Sequence, residues 1–415
     1  MIFSRLVPPE VRDAYRWDGT AVLVTGICAG MTGPFLGVIA RDQLHASALQ
    51  ISFMTAAPFA SYLFTVLWAA RIERRGALPY LVGANVMAAA PLLAMAGAVN
   101  AWLFVLIVVA STMLAPVATT AYNVVLREIY PDEWRGRLMG LVRSGRVVMV
   151  SAAALLTGWL LGRFGYRVVF PAAAVIGVGG ALCWLGLRAY STPAPPNRER
   201  VSALEALATL WRDRRFAWYS TGYFIFGFSN IMISPVIPIF QVDVLKITPM
   251  WVAILSTASA AMGGAAYYYW GHSVDRRGPF RSLLFGYTVL LVIPVVYAFT
   301  RNVPTLLIAA IAGGIAGPGT ELSWVNVVMR FGQQRQIARY SALHLTLLGI
   351  RGLIAPWVGG ALIAVWPGMR PIFWLAFGLQ LVGWMVMGSF AYTHARPGSD
   401  LGPLTEMVIG EHPGH

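Results

Sequence analysis

The chain has little charge, few cysteines and almost no lysine. Charged residues make up 12% of its 415 positions and hydrophobic residues 58%, and the mean hydropathy is +0.65. This composition excludes an ordinary soluble globular domain. The only lysine is Lys246, so a phosphate-binding glycine loop with its lysine is absent, which argues against an ATP-driven pump.

Metal-binding and catalytic patterns are also missing. The two cysteines, Cys28 and Cys183, fall in apolar stretches, so we expect neither a zinc site nor a disulfide framework. The six histidines are scattered without the spacing of metal ligands. No arrangement of a nucleophile with a base is legible. The sequence therefore predicts no enzyme, no metal and no cofactor.

Twelve long apolar stretches fill the chain instead. Each is near the roughly 20 residues that a helix needs to cross a membrane. None has the alternation of a membrane strand. The stretches cover residues 19–41, 47–70, 78–98, 101–126, 138–161, 167–188, 217–242, 249–271, 281–300, 303–329, 340–365 and 371–392. We predict an all-α integral membrane protein with twelve transmembrane helices.

The net charge of +14 is an orientation signal rather than a nucleic-acid signal. Most of the 31 basic residues fall on the side of the predicted spans that holds both chain ends. Short basic loops stay in the cytoplasm, so both termini are expected there. The prediction is a multi-pass protein of the cytoplasmic (inner) membrane that contacts membrane lipids and binds no nucleic acid.

The two halves of the chain repeat each other. Residues 69–76 read Ala-Ala-Arg-Ile-Glu-Arg-Arg-Gly, and residues 271–278 read Gly-His-Ser-Val-Asp-Arg-Arg-Gly, 202 positions later. Residues 122–127 return as 325–330, and 165–170 return as 368–373, each 203 positions on. Several matches at nearly one offset indicate a duplicated membrane protein, an architecture typical of transporters.

The repeat defines the domain organisation. We predict two pseudo-symmetric six-helix bundles, at residues 1–188 and 216–393. Residues 189–215 form a cytoplasmic linker, in which Ser202 and Glu205 have the spacing that caps an amphipathic helix. Residues 394–415 are expected to be a cytoplasmic tail.

With these motifs in view, the chain resembles the major facilitator superfamily over nearly its full length. Residues 271–281 match that family's G-x-x-x-D-R-x-G-R-R turn, and residues 69–76 are a weaker copy. The resemblance implies alternating access by rocking of two halves. It also implies a conformational switch at the two turns, through Glu73, Arg74, Gly76, Gly271, Asp275, Arg276 and Gly278. A solvated charge cluster is the alternative at these turns.

One family pattern is missing where it is expected. Proton-driven exporters of this family often carry G-x-x-x-G-P-x-x-G-G in span 5, and residues 148–158 lack its proline and most of its glycines. The end of that pattern occurs instead in span 11, at residues 355–360. The sequence support for an exporter is therefore weakened.

Ionisable residues deep in spans are functional candidates, because burying them in a bilayer costs about 2.5–3.5 kcal/mol each on insertion scales. Glu321 is the only acid that the predicted spans place well inside the membrane, and we expect it to carry the coupling proton. An ion pair with a neighbouring arginine is the alternative. Arg146 and Arg351 could hold an anion by paired hydrogen bonds, and His344 shares a helix face with Arg351.

Polar residues form stripes at helical spacing in spans 1, 4, 7 and 10. The resemblance puts these four spans around a central cavity, and hydrogen bonds between helices are the alternative explanation. The candidate substrate-binding residues are Arg146, Arg351 and His344 together with Thr32, Thr119, Asn123, Asn230, Ser234 and Asn326.

The leading hypothesis is a monomeric secondary transporter that moves a small organic solute, anionic because of the arginines, with proton coupling at Glu321. The first alternative is a proton-driven exporter of amphiphilic or drug-like compounds, in which Glu321 meets cationic substrates. The second alternative is a relative that does not transport and acts as a membrane sensor or assembly partner.

Overall fold

The computed structural model describes residues 7–63, 68, 71–72, 75–190, 213–331 and 337–394. Within these residues twelve long helices follow one another, some interrupted by a short 3₁₀ turn. They are α1 Pro9–Asp42, α2 Ala48–Leu63, α3 Ala77–Gly97, α4 Ala101–Ile129, α5 Asp132–Phe164, α6 Tyr166–Ala189, α7 Arg214–Asp243, α8 Pro249–Arg277, α9 Pro279–Phe299, α10 Leu306–Phe331, α11 Ile337–Val365 and α12 Arg370–His394.

Eleven of these helices are long and apolar enough to cross a membrane, and α2 is described over 16 residues. The predicted all-α fold with twelve spans is confirmed. Most of the predicted linker, residues 191–212, and almost all of the tail, residues 395–415, lie outside the described residues. The helix after the linker begins where the side chain of Asp213 accepts hydrogen bonds from the first free backbone amides of α7.

Helix α1 begins at Pro9, well before its apolar stretch. Its first turns are amphipathic: Asp13 and Arg16 form an exposed salt bridge at 3.1 Å, while Ala14 and Asp18 are buried. Asp18 therefore lies inside the helical bundle, although hydropathy placed it outside. The expectation that Glu321 is the only acid well inside a span is wrong.

The backbone conformation repeats between the two halves, as the sequence does. His45 and Lys246 lie 201 positions apart and have φ angles of 52° and 53° in the turns after α1 and α7. Gly76 and Gly278 lie 202 positions apart and have φ angles of 84° and 82°. Positive φ is uncommon outside glycine, so its recurrence at matching places supports duplication of one six-helix unit.

Proline interrupts three of the four polar-striped helices. Helix α1 has a 3₁₀ turn at Gly33–Phe35, α4 breaks just before Pro116, and α7 breaks at Pro235. Proline removes a helix hydrogen bond and crowds the preceding turn, which accounts for these breaks. Pro318 and Pro356, in contrast, lie within the continuous helices α10 and α11.

The two halves meet along two helix pairs, α2 with α11 and α5 with α8. The Ser52 hydroxyl donates to the Pro356 carbonyl at 2.9 Å, and the Thr257 hydroxyl donates to the Ser151 carbonyl at 3.3 Å. Gly158 packs on Ala253 in the second pair. Small residues let the helices approach closely, as is usual in membranes.

Helix α1 has glycines at positions 26, 30 and 33, and the first two allow close helix packing within the N-terminal half. Gly26 packs on Arg146 and Val150, and a Cβ at Gly30 would overlap the Val150 backbone. Gly33, one turn further along, has open space beside it.

We expect Gly30→Ala to destabilise the protein by about 1–3 kcal/mol, because the new methyl group meets backbone that cannot move aside. The measurement is thermal unfolding of the purified protein in detergent. Gly33→Ala is the matched control, with the same change of residue in open space. Equal melting temperatures for the two variants would contradict the packing at Gly30.

Candidate functional site: a closed cavity and its polar approach

A cavity of about 450 Å³ lies between the two halves. We call the end of the molecule with residues 43–47 and 244–248 the closed end, and the end where α1 begins and α12 ends the terminal end. Helices α1, α2, α4, α7 and α8 supply the walls, which are lined by Gly33, Pro34, Leu36, Gly37, Val38, Met54, Thr55, Val108, Thr112, Ser234, Ile237, Pro238, Gln241, Val252, Leu255 and Ser256.

The cavity walls are mostly apolar. Thr55 and Thr112 donate their hydroxyls to carbonyls of their own helices, so these two side chains present methyl groups. The Gln241 amide donates to the Tyr297 hydroxyl at 2.8 Å. The buried Ser234 hydroxyl has no hydrogen-bond partner among the described residues. The cavity suits an apolar group that carries few hydrogen-bonding atoms.

One ion pair joins the two halves at the closed end, a few residues beyond the cavity-lining Val38 and Gln241. The Arg41 guanidinium donates to both carboxylate oxygens of Asp243, with Nε to Oδ1 at 2.8 Å and Nη2 to Oδ2 at 2.6 Å. Its Nη1 donates to the Ala46 carbonyl at 2.9 Å. The pair joins α1 to α7 and is half-buried, a setting in which bidentate geometry contributes more than at an open surface.

Arg146 lies on the terminal side of the cavity. Its Cγ packs on Gly26 of α1, its side chain is exposed, and Gly33 of the cavity wall follows Gly26 by seven residues. At 1.5 Å per residue, Arg146 meets α1 roughly 10 Å from the cavity. Asn230 is exposed on α7, four residues to the terminal side of Ser234.

The remaining polar candidates of α4 and α10 are exposed as well. Thr119 and Asn123 are exposed on α4, and Asn326 is exposed on α10. The Thr119 hydroxyl and the Asn326 amide donate to carbonyls of their own helices, which leaves acceptor atoms free. Thr32 differs, because it is buried and its hydroxyl donates to the Cys28 carbonyl at 2.9 Å.

Glu321 is exposed and accepts a hydrogen bond from the Tyr267 hydroxyl at 2.9 Å. Tyr267 also lies within electrostatic reach of Arg143 on α5 of the other half. A carboxylate of α10, a phenol of α8 and a guanidinium of α5 are thus brought together where the halves meet. The described residues form no ion pair with Glu321 within 4 Å.

Arg351 is 6% exposed and lies inside the C-terminal half. Its guanidinium lies 3.9 Å from the centre of the Tyr223 ring and donates to both the carbonyl and the hydroxyl of that residue at 2.7 Å. His344 stacks between Tyr223 and Trp324, with ring centres 4.1 and 4.2 Å away. A Cβ at Gly227 would overlap the guanidinium, so this glycine makes room for it.

The turn residues are described in part. Glu73 and Arg74 lie outside the described residues, while Gly76 and Gly278 end their turns with positive φ. Gly271, Asp275 and Arg276 belong to the last turns of α8, where the two charged residues are exposed. Among the described residues, no cationic nitrogen lies within 4 Å of the Asp275 carboxylate.

Sequence reasoning missed Asp18. Its carboxylate is fully buried and accepts hydrogen bonds from the Tyr130 hydroxyl at 2.9 Å, the Trp184 indole at 3.1 Å and the Tyr122 hydroxyl at 3.3 Å. The available signal was the amphipathic pattern of residues 9–18, which extends α1 beyond its apolar stretch. The three donors come from α4, from Tyr130 directly after it and from α6, and they had no signal in the sequence.

The sequence profile of the Major Facilitator Superfamily matches residues 19–303 and, in a second match, residues 222–407. Multidrug resistance protein MdtG of Serratia proteamaculans (strain 568) is 26% identical over 179 residues, which are 41% of this chain and 42% of that protein. The matched segment therefore spans less than half of that relative.

Two solved structures share the fold. The nucleoside transporter NupG superimposes with a TM-score of 0.72 at 13% identity, over 91% of this chain and 98% of that one. A bacterial homologue of the human lysosomal transporter Spinster, in an inward-facing and unoccupied conformation, gives a TM-score of 0.65 at 17% identity, over 94% and 96% of the chains.

We expect Asp243→Asn to open the closed end, because it removes the charge that Arg41 holds by two hydrogen bonds. The measurement is the distance between spin labels on cysteines at positions 45 and 246, with Cys28 and Cys183 replaced by serine. A population with longer distances should appear. Asp42→Asn is the matched control, since Asp42 is an exposed neighbour of Arg41 without an ion pair among the described residues. Equal distance distributions in both variants would exclude the ion pair as the closure.

Proposed function

The chain belongs to the Major Facilitator Superfamily, and we propose that it is a proton-coupled secondary transporter of a small organic anion with an apolar body. The observation that carries the proposal is the pairing of an apolar cavity with an exposed arginine, Arg146, roughly 10 Å away along α1. An amphiphilic anion matches both surfaces at once, with its apolar body in the cavity and its acidic group at the guanidinium.

The membrane and the direction of access belong to the same proposal. The chain crosses the cytoplasmic membrane with both termini inside, as the distribution of basic residues favours. The terminal end then faces the cytoplasm and the closed end faces outward. The Arg41–Asp243 pair holds this inward-facing state, and its rupture lets the two halves rock to the opposite state.

The exposed polar residues between the cavity and the terminal end form the route of the solute. Asn230, Asn123 and Asn326 offer amide groups along this route, and Thr119 offers hydroxyl lone pairs. Weak and adaptable hydrogen bonds suit a passage, because a solute must leave the site as readily as it enters.

Glu321 carries the coupling proton in this proposal. Its carboxylate is exposed to the route and is held by Tyr267, which also lies near Arg143 of the other half. Tyr267 interacts with both Glu321 and Arg143, so a proton on Glu321 changes the charge next to this phenol at the contact between α5 and α8. Proton binding therefore changes the energy of a contact that must break during rocking.

In this proposal Arg351 and His344 hold neighbouring aromatic side chains in place. The hydrogen bonds of Arg351 go to Tyr223, and its guanidinium is buried, which supports a function in fixing the Tyr223 and His344 rings. The anion therefore rests on Arg146 in this proposal, and Arg351 shapes the wall behind it.

An exporter of amphiphilic or drug-like compounds is the second candidate. The apolar walls of the cavity and the partial similarity to a multidrug resistance protein favour it. In that case Glu321 meets a cationic substrate, and Arg146 serves as the counter-charge of Glu321 when the substrate has left.

The test is flux in liposomes that contain the purified protein, with an imposed pH gradient. Benzenesulfonate is the anionic probe because it stays ionised, and tetraphenylphosphonium is the cationic probe. We expect Arg146→Ala to lower benzenesulfonate flux about tenfold or more, since a charge-assisted hydrogen bond contributes about 1.5–3 kcal/mol. Arg163→Ala, which changes an exposed arginine of the same helix, is the matched control and should leave the flux unchanged.

We expect Glu321→Gln to uncouple transport from protons, because an amide cannot bind a proton at this pH. Its benzenesulfonate exchange should persist, whereas accumulation driven by the pH gradient should be lost. Flux of tetraphenylphosphonium alone, abolished by Glu321→Gln and unaffected by Arg146→Ala, would replace the anion proposal with the exporter.

A further inference from the structure

Asp18 is the most completely buried acid among the described residues, and the proposed transport cycle does not use it. Its three hydrogen bonds come from neutral donors: the hydroxyls of Tyr122 on α4 and of Tyr130 directly after α4, and the indole of Trp184 on α6. Among the described residues, no cationic nitrogen lies within 4 Å of its carboxylate. An ionised carboxylate in this setting is costly to bury, and three neutral donors offset only part of that cost.

Tyr122 links this carboxylate to the proposed anion site. Its hydroxyl donates to Asp18 Oδ2, and its ring packs against Trp184 with centres 5.9 Å apart. Tyr122 also lies within electrostatic reach of Arg143 and Arg146 on α5. Tyr130, the other phenol at Asp18, interacts electrostatically with Asp18, Tyr122 and Tyr15.

The surroundings of Asp18 contain few other groups that titrate. Tyr15 faces it from its own helix, Tyr122 from α4, Tyr130 from the position directly after α4, and Trp184 from α6. Three arginines of α5 lie nearby: Arg143 and Arg146 act on Tyr122, and Arg135 donates to the Tyr130 carbonyl at 3.0 Å. Asp18 is therefore the carboxylate of this cluster, and the hydrogen bonds it accepts come from neutral donors alone.

We propose that Asp18 is a second proton-binding carboxylate, which controls anion binding at Arg146 through the hydroxyl of Tyr122. The coupling to the anion rests on the proposed function. While Asp18 is ionised, the Tyr122 hydroxyl donates its proton to Oδ2. When a proton from water binds to Asp18, the new carboxyl O–H donates to a tyrosine oxygen, and the Tyr122 O–H becomes free to donate to an anion beside Arg146.

The sign of the coupling follows from this exchange of donors. Protonation of Asp18 adds a hydrogen-bond donor to the anion site, so proton binding strengthens anion binding, and anion binding strengthens proton binding equally. One proton and one anion are thus taken up together in the N-terminal half.

The first arm of the test is infrared difference spectroscopy of the purified protein without ligand, between about pH 5 and about pH 9. We expect a carboxylic C=O band that appears as the pH falls and is absent from Asp18→Asn. Asp13→Asn is the matched control, because it makes the same change at an exposed acid of the same helix, and it should retain the band. Should Asp18→Asn fail to fold, Tyr130→Phe replaces it and should shift the band frequency by removing one hydrogen bond. A band that is unaltered in every variant would overturn the proposal.

The second arm is binding of benzenesulfonate across the same pH range, with neutral benzenesulfonamide as the comparison ligand. We expect the affinity for benzenesulfonate to fall about tenfold as Asp18 ionises, and the affinity for benzenesulfonamide to stay constant. Tyr122→Phe should abolish this pH dependence. Tyr130→Phe, which also loses a hydrogen bond to Asp18, should keep it. Equal pH dependence in the two phenylalanine variants would overturn the link through Tyr122.

The two arms separate this inference from the proposed function. If benzenesulfonate binds to no variant at any pH while the infrared band of Asp18 titrates, the anion function fails and Asp18 stands as a proton site. If the ligand binds with a pH dependence that Asp18→Asn retains, the anion function stands and the role of Asp18 is overturned.

Discussion

A polar group buried between membrane-spanning helices loses its hydrogen bonds to water and must find a partner inside the protein. This constraint organises the structure. Arg41 reaches Asp243 across the two halves, Arg351 reaches Tyr223 within one half, and Asp18 gathers three neutral donors. Each solution joins helices that are distant in sequence. The partnerships that lower the cost of burial are therefore also the contacts that hold a particular arrangement of helices together.

The contacts between halves differ in chemistry from the contacts within them. The pairs α2 with α11 and α5 with α8 pack through small residues and a few hydroxyl-to-carbonyl hydrogen bonds. The Phe59 ring of α2 also packs against Gly352 of α11. Contacts of this kind keep each half rigid and suit a change of angle between rigid bodies. The bidentate Arg41–Asp243 bridge is the strong directional contact across the halves in the described part of the chain, and it lies at the closed end. Alternating access requires an ion pair that can hold one end shut and helix contacts that allow the two halves to tilt.

Charge is distributed unequally between the two halves around the proposed route. The N-terminal half contributes Arg143 and Arg146, with Asp18 behind them, and the C-terminal half contributes Glu321 with Tyr267. In both places a phenol donates to a carboxylate and lies within electrostatic reach of a guanidinium. A hydroxyl can donate or accept, so it can transmit a change of charge without requiring opposite charges to touch. In the proposed cycle this property connects proton binding to the anion and to the contact between the halves.

The sequence by itself determined the number of helices, the twofold repeat and the family, because apolar length and duplicated turns are local properties of the chain. It also made Arg146 and Glu321 candidates for the site, since charged residues stand out in an apolar stretch. It missed Asp18, because hydropathy ends a span where an amphipathic helix continues, and it paired neither Arg351 with Tyr223 nor Arg41 with Asp243. Those partners lie 128 and 202 positions apart. Only packing of the helices decided which buried side chains meet, because side-chain contact depends on helix rotation and tilt, which spacing along one helix does not define.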